Sequence, residues 1–137
     1  MGNSFGYVGD EHDARFLGAV AAALKPGGRF ALDYGAVAEA LLPSFQERTW
    51  VPVGDTLFLR EGRYNHLEGR IETEYTLIRA GQVEKKPWTQ RVYTYLELCR
   101  LLAAAGFTDP QGYASLTLEP FKLGSRRLLL VATKNAT

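Results

Sequence analysis

Arg91 and Tyr93 stand two residues apart, the spacing that sets two side chains on one face of a strand, and Trp88 lies just before them. A guanidinium beside aromatic rings can hold a carboxylate or a flat molecule. The same arrangement serves equally well as cross-strand pairing inside a sheet, and the residues alone favour that plainer reading. Arg126 and Arg127 form a second pair with the chemistry to bind an anion, although their place suggests the exposed start of a strand. His12 falls in the first turn of a helix and is expected on a solvated surface, and His66 falls in a hairpin turn. Cys99 is the sole cysteine, so no intrachain disulfide is possible, and no Cys and His cluster has the spacing of metal ligands. The expected metal content is none. Gly27 and Gly28 lie between a helix and a strand, the wrong side for a strand-to-helix phosphate loop, so they read as a helix stop.

These residues sit on elements that the hydrophobic period makes visible. Over residues 10–24, Phe16, Leu17, Val20, Ala21 and Leu24 form one helical stripe, with Asp10 in the N-cap position and Glu11 and Asp13 in the first turn. Lys25-Pro26-Gly27-Gly28 stops that helix, and a strand follows over residues 29–34, with Phe30-Ala31-Leu32 of the kind buried in a parallel sheet. From residue 48 to 93 the period changes to two: Ile71, Thr73, Tyr75 and Leu77 alternate, with strands expected before them at 56–59 and after them at 83–92. The connections at 65–69 and 80–81 carry the Asn and Gly that hairpins need. Helical period returns at Thr94, which forms a capping box with Glu97 ahead of Leu98, Leu101, Leu102 and Ala105, and Gly106 ends the helix. Strands are expected at 107–118, interrupted near Asp109-Pro110, and at 125–133, whose centre at 128–132 should be buried on both faces. The run Glu84-Lys85-Lys86 reads as a solvated face.

Composition narrows the classes. The 137 residues are 46% hydrophobic and 23% charged, which fits one folded domain and excludes wholesale disorder. Sixteen basic residues against fifteen acidic leave a net charge of +1, so no global field draws nucleic acid or an anionic membrane. The longest apolar runs, 19–24 and 128–132, are far short of the roughly 20 residues a membrane span needs. A lone cysteine and an N-terminus without a basic or hydrophobic stretch suggest a cytoplasmic protein.

Four stretches in order carry a family likeness: Asn3-Ser4-Phe5-Gly6-Tyr7, the helix ending Leu24-Lys25-Pro26-Gly27-Gly28-Arg29-Phe30, the run Leu101-Leu102-Ala103-Ala104-Ala105-Gly106-Phe107, and Leu128-Leu129-Leu130-Val131-Ala132. Together they resemble the C-terminal half of a class I S-adenosylmethionine-dependent methyltransferase. The resemblance implies an α/β fold, the C-terminal part of a Rossmann-like sheet over residues 1–137, carrying the antiparallel β-insert at 48–93 as an acceptor-side lid. It also implies that Asn3, Ser4 and Phe5 border the cofactor and that Trp88, Arg91 and Tyr93 face the methyl acceptor. In that family the glycine-rich turn, the acidic residue for the ribose and the adenine contact all precede the matching region, so S-adenosylmethionine is expected in the complete fold and not on this chain alone.

The expected function is therefore the acceptor-side half of a methyltransferase, not competent for methyl transfer by itself. The alternative is a non-catalytic, self-associating module that binds a small ligand through the insert. Expected partners are a second copy, in a homodimer joined where the strand at 29–34 lacks its neighbour, or a separate N-terminal half, with neither nucleic acid nor membrane.

Overall fold

The structure is a computed structural model that describes residues 5, 6 and 9–135. The chain divides into two compact units, the first made of Met1–Ser44 with Val92–Thr137, the second of Phe45–Arg91.

In the first unit, helix α1 (Asp10–Ala23) leads to strand β1 (Arg29–Tyr34), the short helix α2 (Ala38–Leu41) and a 3-10 turn (Leu42–Ser44). Helix α3 (Tyr95–Ala105) follows, then β6 (Phe107–Tyr113) and β7 (Leu128–Lys134). The sheet order is β1-β7-β6, antiparallel throughout. Leu17 and Ala21 of α1, Leu98 and Leu102 of α3, and Leu128, Leu130 and Ala132 of β7 make one core with Phe30 and Leu32 of β1. Leu17, Leu128 and Leu130 are wholly buried, and each such side chain contributes about 1.5–3 kcal/mol by leaving water.

The residues at the element ends explain where the helices stop. Thr94 accepts the Glu97 N–H at 3.1 Å while Glu97 accepts the Thr94 N–H at 2.9 Å, so the capping box closes as its spacing predicts. Gly106 then takes φ 103°, a left-handed conformation that would strain any side chain, and ends α3. On α1 the outcome differs from expectation. Gly9 is the N-cap and Asp10 is already helical. Asp10 instead turns its carboxylate to the Tyr93 hydroxyl, 3.2 Å away.

Two burial expectations are corrected. β1 pairs antiparallel with β7 and alternates strictly, with Phe30, Leu32 and Tyr34 buried and Arg29, Ala31 and Asp33 exposed, so it is not a strand covered on both faces. β7 likewise buries Leu128, Leu130 and Ala132, while Leu129 and Val131 are only half-covered. Apolar runs this short do not reveal how many faces are covered, because a half-buried strand tolerates Ala or Val on its outer side. β6 ends at Tyr113 rather than 118, its register slipping between Thr108 and Gln111 where Asp109 takes φ 52° and Pro110 offers no donor. β7 starts at Leu128, after the two arginines. The short elements at 38–44 have too few residues to show a period, and the sequence did not disclose them.

The second unit is a four-stranded meander of order β2-β3-β4-β5, made of β2 (Arg48–Val53), β3 (Thr56–Asn65), β4 (Arg70–Arg79) and β5 (Gln82–Arg91). All neighbours are antiparallel. Two hairpins fall where the sequence places them: Arg79 faces Gln82 across Ala80-Gly81, and Asn65 faces Arg70; the third, where Val53 faces Thr56, was not foreseen. In the turn after Asn65, the Asn65 Oδ1 accepts the Leu67 and Glu68 N–H groups at 3.1 and 3.2 Å, an Asx turn that fixes the reversal.

Candidate functional site

Trp88 borders two openings of the meander. Strand period sets Tyr75 and Leu77 of β4 on one face. Register brings Phe58 of β3 opposite Leu77, Lys86 of β5 opposite Tyr75, and Trp88 opposite Thr73. These side chains, with Pro87, line a pocket of about 360 Å³. Its floor is three aromatic rings and a leucine, with the one cationic side chain, Lys86, 3.7 Å from Glu84. Such a surface offers ring faces for stacking and an ammonium within reach of a negative group.

The second opening is a groove of about 890 Å³ lined by charged pairs. Arg48 meets Glu61 at 2.9 Å and Arg63 meets Glu72 at 2.8 Å. Hydrogen bonds from Arg63 and then Asn65 hold the Glu72 carboxyl below the usual carboxylate range. These ion pairs are solvated, so they add little to the stability of the fold. They order the rim.

Asn3 and Ser4 lie outside the described residues. Phe5 is 6% exposed and is a core side chain: its ring stands 5.4 Å from Tyr34, edge-on, and 5.8 Å from Tyr93. Trp88 is 48% exposed. Arg91 is the last residue of β5, and its Nη1 donates to the Gly69 carbonyl at 3.2 Å, tying down the turn. Tyr93 lies beyond that strand, in the first unit, bridged to Val37. The expectation that Arg91 and Tyr93 project from one strand face is therefore corrected: the strand ends between them.

Tyr93 belongs to a different constellation. Its hydroxyl donates to Asp13 Oδ2 at 2.5 Å, and Asp13, wholly buried, accepts the Gly6 N–H on Oδ1 at 2.9 Å. Burial above all, then the hydrogen bond to Asp13 and the charges of Asp13 and Asp10, push the phenol far above its ordinary value. Tyr34 lies so near Gly6 that a Cβ there would strike its hydroxyl, and Gly6 takes φ 85°. The trio Gly6, Asp13 and Tyr93 thus ties Gly6 to the first turn of α1. His12 is half-buried, not solvated, with Nδ1 3.7 Å from Asp13 Oδ1. Sequence reading missed Asp13 because first-turn acids are ordinarily dipole partners at the surface.

The remaining candidates have structural partners. Arg127 forms a two-pronged pair with Asp33 at 2.8 and 2.9 Å. The Gly27 N–H donates to the Lys134 carbonyl and the Gly28 N–H to the Lys25 carbonyl, so both amides serve the turn. Cys99 is half-buried, and burial raises its thiol pKa against a lowering hydrogen bond from Tyr95. Among the described residues no cluster of His, Cys, Asp and Glu is arranged to hold a metal ion, and no helix is long and apolar enough to cross a membrane.

Neither a protein-family model nor a curated protein matches the sequence. Solved structures do match. The CcbJ methyltransferase from Streptomyces caelestis aligns with TM-score 0.77 at 16% identity, over 95% of this chain and 56% of that one. An S-adenosylmethionine-dependent methyltransferase from Clostridium acetobutylicum aligns with TM-score 0.71 at 15% identity, over 97% of this chain and 55% of its own. CalS10, an amino pentose methyltransferase from Micromonospora echinaspora solved with S-adenosylmethionine bound, aligns with TM-score 0.59 at 20% identity, over 98% and 56%. The chain spans little more than half the length of these proteins. Across that span it has the mixed α/β, Rossmann-like fold of the methyltransferases.

Proposed function

We propose that this chain is the C-terminal, acceptor-side portion of an S-adenosylmethionine-dependent methyltransferase, and that it does not transfer methyl groups alone. The observation that carries the reading is the coverage: nearly all of this chain aligns, and it accounts for only 56% of the CcbJ enzyme. The described residues do not fit a nucleoside cofactor. Phe5 fills the core, the Gly27 and Gly28 amides are spent on the turn, and Asp33 holds Arg127. In the complete enzyme Asn3, Ser4 and the Phe5 backbone border the cofactor, which supplies the methyl group. β1 has β7 on one side only in the described sheet, and its other edge receives a strand of the cofactor-binding portion.

For the acceptor, CalS10 is named for an amino pentose. A ring-shaped acceptor suits the aromatic pocket of Trp88, Tyr75 and Phe58, since an apolar ring face stacks on an aromatic one. Methyl transfer depends chiefly on aligning acceptor and donor, so no nucleophile or base pair is required of this chain.

Calorimetric titration with S-adenosylmethionine tests the reading. No saturable heat is expected from the isolated chain. One low-micromolar site per chain would overturn the claim of incompetence. A separately produced N-terminal methyltransferase portion should restore binding when mixed in.

A further inference from the structure

Helix α3 and strand β6 of the first unit border a cavity of about 290 Å³, separate from both openings of the meander. It sits at a fault in the sheet. Thr108 faces Thr133 and Gln111 faces Val131, so Asp109 and Pro110 together stand against Ala132 alone. That is a β-bulge, and Asp109 takes φ 52°, the left-handed conformation that glycine often supplies at such a place. The bulge bends β6, and two small side chains, Ala103 of α3 and Ala132 of β7, leave the space beside it unfilled.

Burial separates the floor of this cavity from its rim. Leu102, Phe107 and Ala132 are 2%, 3% and 1% exposed and form an apolar floor. Arg100 and Asp109 are both exposed and stand at the mouth. Among the described residues Arg100 has no ion pair, unlike Arg48, Arg63 and Arg127. Asp109 accepts the Gln111 side-chain N–H at 3.0 Å and meets no cation. Two opposite charges therefore line one small cavity without joining each other.

We infer that this cavity binds a small apolar α-amino acid, with its carboxylate on the Arg100 guanidinium, its ammonium on the Asp109 carboxylate and its side chain on the floor. Each part of the ligand answers one observation. A guanidinium holds a carboxylate through paired N–H donors, and an aspartate accepts the hydrogen bonds of an ammonium group. A fatty acid or an alkylamine would leave one rim charge unmatched, whereas a zwitterion meets both. The volume falls at the small end of the roughly 300–1,000 Å³ of ligand clefts, which suits a single amino acid and not a nucleotide. The site lies wholly in the first unit, and the inference stands apart from the methyltransferase reading.

Titration of L-leucine into the nitrogen-15-labelled full chain, followed by amide resonances, tests the inference. Saturable shifts are expected at Arg100, Ala103, Thr108 and Ala132. Glycine lacks the apolar side chain, and 4-methylpentanoate and 3-methylbutylamine each lack one charge, so all three should bind at least about tenfold more weakly than leucine. Arg100→Gln, at an exposed helical position, should weaken leucine by a similar factor. The absence of saturable shifts, shifts centred elsewhere, an analogue that equals leucine, or a variant that binds leucine as the parent does would each overturn the inference. Should the variant fail to fold, the three analogues decide on the unaltered chain.

Discussion

Tyr93 carries a prediction in two parts. Tyr93→Phe leaves buried Asp13 short of a donor and should lower stability by about 1–3 kcal/mol, read by thermal or urea denaturation. Its raised phenol pKa means the folded chain binds that proton more tightly than the unfolded chain. The associated stability is complete below the ordinary tyrosine value of 10.0 and is lost as pH rises beyond it. Tyrosinate absorbance should accordingly show a last ionisation that coincides with alkaline unfolding, and Tyr93→Phe should remove it. Tyr93 also marks how far residue-scale reading reached. Its neighbourhood was not legible: β5 ends before it, its partner Asp13 lies 80 residues away, and no local period reports a contact of that separation. A second case is Gly112, where a Cβ would lie 2.6 Å from the Tyr95 ring. Gly112→Ala should push that ring off its stacked contact with Phe121 and cost about 1–3 kcal/mol.

Helix α3 was readable from end to end, because its cap, stripe and stop are all encoded within a dozen residues and agree with one another. Thr94→Ala breaks one arm of the capping box and should destabilise the first unit by about 1 kcal/mol, whereas Thr94→Ser should restore most of the loss. The hairpins at 65–69 and 80–81 were readable for the same local reason, whereas the β2–β3 hairpin across Gly54-Asp55 was not read. What could not be read were the faces of β1 and β7, the early end of β6 and the end of β5 between Arg91 and Tyr93. Each depends on which strand lies alongside, a property of pairing and not of propensity. The aromatic pocket was half legible: alternation announced Tyr75 and Leu77, while Phe58 joined them only through the β3 and β4 register.

Across the whole molecule, the two units differ in the distance along the chain that their contacts span. Every strand of the meander pairs with its sequence neighbour, whereas β1 waits for β7, joining Arg29 to Thr133. Local pairings form early and distant ones late, because a long loop must close before any contact rewards it. Pulse-labelled amide exchange during refolding should therefore protect the hairpins of β3, β4 and β5 before β1. A ribosome making this chain delivers the meander whole while β7 is still unmade. Phe30, Leu32 and Tyr34 then emerge before β7, the strand that pairs with β1 in the described sheet, so translation leaves an interval in which that edge of β1 is one a chaperone would meet.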